Sequence, residues 1–230
     1  MSLRERTREI FSFPELIDLI PSLPVKEVLD LGCGRGQVTA RLSRSGLNCI
    51  GIDPSLKFLT QAKSFAPVVL ATGDNLPFIK SCFDIVILKE VIHHLSHPRE
   101  VLAEARRCLK PGGFLWVLEP VEDDPILRFG RNLHPYWQGV KVETRLYSQD
   151  LIRLIRDSGF SIIKSGGVEG GFPNYLFFWS AQTIYLCLQA MKVPWLSVHI
   201  LRGILKSKFI MDCDPPLLYY WCLAKKEPAQ

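Results

Sequence analysis

The sequence contains no Cys-x-x-Cys pair, no block of five or six like charges, and no continuous apolar stretch near its N-terminus that ends in small residues. Seven scattered cysteines, an odd number, therefore suggest neither a disulfide framework nor a zinc site, and a reducing cytoplasmic compartment is expected. With a net charge of only +5 spread along the chain, a nucleic-acid partner is not expected, although an anionic membrane surface is permitted. The opening segment MSLRERTREIFSFPELIDLIPSLP mixes acids and bases; it does not suit a signal peptide and reads as short helices covering an edge of the fold.

What is present is enough for one sizeable core: 230 residues, 47% of them hydrophobic, leave little room for a second independent domain. From residue 25 to residue 120 short apolar runs alternate with segments of helical period, the signature of βαβ units and a parallel sheet covered on both faces. The predicted strands are VKEVLDL, NCIGID, VVLATG, FDIVILK, GFLWVLEP, FSIIKSGG and PLLYYWCLAKK. The predicted helices are QVTARLSRSG, SLKFLTQAKSF, HPREVLAEARRCLKPGG, stopping at Pro-Gly-Gly, and SQDLIRLIRDSGF, with a Ser cap and a Gly stop.

The stretch VLDLGCGRGQ, residues 28–37, puts three glycines directly behind the first strand. A glycine-rich turn between a strand and a helix lets a ligand lie against the backbone at the helix N-terminus. A dinucleotide site would want Gly-x-Gly-x-x-Gly, whereas Gly32, Gly34 and Gly36 are one residue too close. Asp53, closing the second strand in GIDPS, suits a ribose because a carboxylate accepts from both hydroxyls of a diol. That acid alone serves NAD equally well.

VLDLGCGRG, GIDPS, ATGDNLPF, FDIVILKEVIHHL and LKPGGFLWVLEP follow one another in an order that resembles the class I S-adenosylmethionine-dependent methyltransferases of the ubiquinone- and menaquinone-biosynthesis type. The resemblance implies an α/β fold: a doubly wound, seven-stranded, mostly parallel sheet with an antiparallel last strand. It implies S-adenosylmethionine as cofactor and S-adenosylhomocysteine as product. The implied cofactor-binding set is Asp30, Gly32, Cys33, Gly34, Gly36, Asp53, Pro54, Asp74, Asn75, Leu76 and Lys89, with the glycines facing the methionine portion, Asp53 the ribose and Asp74 the adenine. No metal is called for. A sulfonium would not welcome Arg35, whose guanidinium is expected to point to solvent or a nearby carboxylate.

Methyl transfer from a sulfonium is an in-line displacement, so the protein's main task is alignment in a dry pocket, with a base needed only where the acceptor must lose a proton. Candidates belong at the carboxyl ends of the strands. Lys89, Glu90, His93, His94, Glu119 and the long connection carrying His134, Tyr136 and Trp137 meet that condition. His93 and His94 titrate nearest neutrality and lead; Glu119 and His134 follow. No NPPY-like run, as used on nucleobase amines, follows the fourth strand.

The resulting organisation is one methyltransferase domain over 1–230: an N-terminal cover (1–24), a cofactor-binding core (25–169), an apolar helical insert (171–211) and a closing strand (217–226). The insert carries no charge through residue 191, and His199, Arg202 and Lys206 then share one helix face opposite Leu196, Ile200, Leu201 and Ile204. It reads as a cap or homodimer surface, a lid for a lipophilic acceptor, or a peripheral membrane-docking element; a true span would separate the last two strands across a bilayer. The expected activity is methylation of a small, apolar acceptor. A nicotinamide-dependent oxidoreductase and a non-catalytic, methyltransferase-like interaction protein are the alternatives.

Overall fold

The computed structural model describes residues 20–123, 145–170 and 217–228. The chain divides into two compact units: Pro14–Pro120 with Val142–Gly167 and Tyr220–Gln230, and Met1–Phe13 with Val121–Lys141 and Val168–Tyr219. Nearly all described residues lie in the first. His134, the apolar insert at 171–211 and most of the N-terminal cover lie outside the described residues.

Seven strands form one sheet: β1 (Glu27–Leu31), β2 (Asn48–Asp53), β3 (Val68–Leu70), β4 (Phe83–Lys89), β5 (Leu109–Val121), β6 (Phe160–Gly170) and β7 (Leu217–Lys226), in the order β3-β2-β1-β4-β5-β7-β6. β1 lies parallel between β2 and β4, with Leu29 opposite Ile50 and Val86, and the reversal of strand order beside β1 opens a crevice at the carboxyl ends. The centre of the sheet is apolar without alternation, since both faces are covered: Ile85, Val86, Ile87 and Leu88 are all fully buried. β7 runs antiparallel. Lys226 at its end donates to the Leu109 carbonyl at the start of β5, and Glu227 pairs with Ser161 at the start of β6.

The helices are α1 (Gln37–Arg44), α2 (Leu56–Ala62), α3 (Pro98–Cys108) and α4 (Ser148–Asp157). Two boundaries differ from expectation. α3 ends at Cys108, and Leu109–Gly113 belongs to β5, where the β4–β5 register shifts between Phe83 and Ile85; Gly112 takes φ +73° in that irregularity. Ser148 is the first residue of α4 and Tyr147 takes the N-cap position expected of it. Among the described residues no helix is long and apolar enough to cross a membrane.

Candidate active site

The crevice beside β1 is a cavity of about 500 Å³ over the carboxyl ends of β1, β2 and β4. Gly32, Gly34, Asp53, Pro54, Asp74 and His94 line it, as expected of a ligand site. So does Glu90, one of the candidates after the fourth strand, and so do residues that the motif reading did not assign, among them Phe58, Thr72, Ser96 and His97. Phe58 follows the helical period of α2 and reads as core; Thr72, Ser96 and His97 sit in loops whose course the sequence does not reveal.

The glycine turn is shaped by two separate needs. Gly34 has φ +53° and a Cβ built there would meet no protein atom within 4 Å, so the backbone faces open space at the cavity. Gly36 instead packs against α2: its added Cβ would lie 2.9 Å from Ala62 Cβ. It therefore supports the turn from behind and does not line the cavity. Cys33 does not line it either. Its thiol packs with Leu59 and Ala62, and burial, followed by the nearby Asp30 and Asp53, pushes its pKa far up, so it is an inert packing group.

Asp30 also acts from behind. α1 has no capping side chain of its own, and Asp30 Oδ2 accepts from the Thr39 amide at 3.1 Å and its hydroxyl at 2.5 Å. Burial dominates these bonds and raises the Asp30 pKa to about 6. Asp53 holds the turn from the other side: Oδ2 accepts from Gly34 N at 2.9 Å and Oδ1 from Ser55 N at 2.8 Å. Each carboxylate oxygen offers a second lone pair, so a cavity-lining Asp53 retains the capacity to accept from a ligand diol.

At the other end, Asp74 is exposed at the cavity wall, whereas Asn75 does not line it and Leu76 is a core residue. The loop is fixed by α3. Glu104 accepts from Leu76 N at 2.9 Å, and Arg107 donates to the carbonyls of Leu76 (3.0 Å) and Phe78 (2.8 Å) while paired with Glu104. Arg35 is exposed, as the solvent-facing alternative expects, with its guanidinium carbon 5.8 Å from the centre of the Phe58 ring, a cation–π contact.

After β4 the two histidines part company. His93 is buried, with Nδ1 2.6 Å from Glu119 Oε2, while Glu119 Oε1 accepts from the amides of Val91 (2.7 Å) and Ile92 (2.6 Å). Glu119, fully buried, thus fixes the turn, and neither it nor His93 faces the cavity. His94 does, its ring tilted 45° against that of His93 with centres 3.9 Å apart. Lys89 pairs with Glu90 at 2.5 Å and does not line the cavity. Among the described residues no cluster of three or more metal-ligating side chains forms.

Residues 29–117 match the family model described as a methyltransferase domain. An uncharacterized methyltransferase of Synechocystis is 31% identical over 64% of this chain and 73% of its own length. The mitochondrial ubiquinone biosynthesis O-methyltransferase of Mus musculus is 35% identical over 40% of this chain, and the demethylmenaquinone methyltransferase of Corynebacterium urealyticum 37% over 50%. The match spans only 28% and 47% of those two proteins. An S-adenosylmethionine-dependent methyltransferase from Methanosarcina mazei has the same fold, with a TM-score of 0.65 over 92% of this chain and 98% of its own, at 16% identity.

Proposed function

The chain belongs to the S-adenosylmethionine-dependent methyltransferase family, and on that premise we propose that it methylates a small, apolar acceptor. The observation that carries the cofactor reading is the charge of the cavity. Its described lining includes three carboxylates, Asp53, Asp74 and Glu90, the last paired with Lys89 behind the wall, and neither lysine nor arginine. Such a wall repels a pyrophosphate and suits a ligand that brings positive charge and hydroxyl donors. When bound, S-adenosylmethionine supplies an electrophilic methyl on a sulfonium.

The protein's own residues have separable tasks. Gly34 leaves room for the methionine portion, Gly32 lets Val91 pack against the turn, Asp53 accepts from the ribose and Asp74 from the adenine amine. Glu119 and His93 hold the turn that presents His94 to the cavity, where it serves as proton acceptor when the acceptor is a hydroxyl or an activated carbon. The apolar character of the acceptor is supported by the uncharged sequence of residues 170–191 and by the quinone chemistry named in two relatives. Cytoplasmic placement with a peripheral membrane contact through that segment fits the same acceptor class.

Methyl-labelled S-adenosylmethionine incubated with the protein and a panel of hydroxylated quinones and alkyl phenols tests this reading. Label is expected in an organic-extractable product. Label appearing only in water-soluble acceptors from a matched panel would refute the apolar assignment.

A further inference from the structure

The cavity reading leaves one acid without a task, and its backbone is strained. Glu90 directly follows β4 with φ +57°, a left-handed conformation comfortable for glycine and uncommon for a side chain with a Cβ. The residue is pinned there: its amide donates to the Leu118 carbonyl at 2.8 Å, and Lys89 Nζ lies 2.5 Å from its Oε1. Next to it, Val91 packs so closely on the glycine turn that a Cβ on Gly32 would stand 2.5 Å from Val91 Cγ2. Glu90 lines the cavity beside the turn that carries Gly32.

We propose that Glu90 is a specificity-determining residue, its carboxylate receiving the positively charged end of the cofactor, at the ammonium or the sulfonium. The inference rests on the cofactor reading above and adds to it the residue that selects for charge. The strain has a rationale on this view: the conformation aims a carboxylate at a place where the adjoining turn, made of glycines, offers only backbone. The ion pair with Lys89 restrains the side chain, so less ordering is required when the ligand arrives. In a half-buried site a carboxylate facing a cation is worth more than at the surface.

Binding of three ligands to the full chain, measured by calorimetry, tests this: S-adenosylmethionine with both cations, S-adenosylhomocysteine with the ammonium alone, and 5′-methylthioadenosine with neither. Glu90→Gln is expected to weaken S-adenosylmethionine by about 10- to 100-fold and to leave 5′-methylthioadenosine within about 2-fold. S-adenosylhomocysteine losing as much as S-adenosylmethionine assigns the contact to the ammonium, and unchanged binding assigns it to the sulfonium. Glu90→Gly, which suits the backbone angle, is expected to show the same selective loss without a lower melting temperature. Equal losses for all three ligands in both variants, or unchanged S-adenosylmethionine binding, overturns the proposal. A wild type that binds none of the three defeats the cofactor reading itself.

Discussion

Asp53 Oδ2 accepts the amide hydrogen of Gly34 at 2.9 Å, tying the end of β2 to the turn that follows β1. One carboxylate thus shapes the glycine turn and faces the cavity that the turn borders. Asp53→Asn keeps the shape of the side chain but swaps one acceptor oxygen for a donor. It is expected to weaken S-adenosylhomocysteine by about 10-fold, and Asp53→Ala by about 100-fold, from the loss of charge-assisted hydrogen bonds. Calorimetric titration of both variants measures this. Wild-type affinity in Asp53→Ala would remove the residue from the site.

The buried Asp30 makes stability depend on pH. Its folded pKa, raised mainly by burial to about 6, lies above the ordinary value of 3.8, so between those values the folded state holds a proton that the unfolded state has lost. Its contribution to stability is therefore full below pH 4 and declines as pH rises toward 6. Asp30→Asn, which can still accept from Thr39, is expected to remove that slope and to gain on the order of 2 kcal/mol at pH 7.5. Urea denaturation across pH 4 to 8 gives the comparison; an unchanged slope would contradict the assignment.

On the proposed reading, the turn after β4 rests on a supporting pair, Glu119 and His93, and carries a proton acceptor, His94. Glu119→Ala leaves two backbone amides and His93 without their buried acceptor and is expected to destabilise the fold by about 3–5 kcal/mol. His94→Ala alters an exposed cavity-facing ring, so about 0.5 kcal/mol or less of stability is expected to be lost. A proton acceptor's contribution of about 100-fold or more in turnover should nonetheless disappear. Chemical denaturation and single-turnover methyl transfer, measured on both variants, distinguish the two roles.

Arg107 holds the loop that carries Asp74. Arg107→Ala removes its bonds to the carbonyls of Leu76 and Phe78 and is expected to weaken adenosine-containing ligands by about 10-fold. Arg107→Lys restores the charge without the planar fork and is expected to recover only part of that loss. Full recovery by lysine would show that charge alone matters.

Much of the sheet was legible because its central strands are largely buried and read as short runs rich in Ile, Leu and Val closed by polar residues: NCIGID and FDIVILK coincide with β2 and β4 residue for residue. Pro111-Gly112-Gly113 misled, since the same residues that end helices also suit a strand irregularity, and only the pairing partner distinguishes the two. In the site, the family motifs located the turn, Asp53 and Asp74 but could not tell lining residues from supports. Asp30, Cys33, Gly36 and Leu76 belong to the motifs because they pack or cap behind the cavity, a distinction carried by side-chain direction. Glu90 stood in the sequence as one of several polar residues after β4; its left-handed backbone, invisible there, singles it out.

The central claim is that the cavity beside β1 takes a cationic adenosine ligand and rejects a dinucleotide. Titration of the protein with S-adenosylmethionine and, separately, with NADH tests it most directly. Saturable binding of S-adenosylmethionine, lost in Asp53→Ala, with no heat from NADH is the expected result. Saturable binding of NADH with none of S-adenosylmethionine would contradict the account.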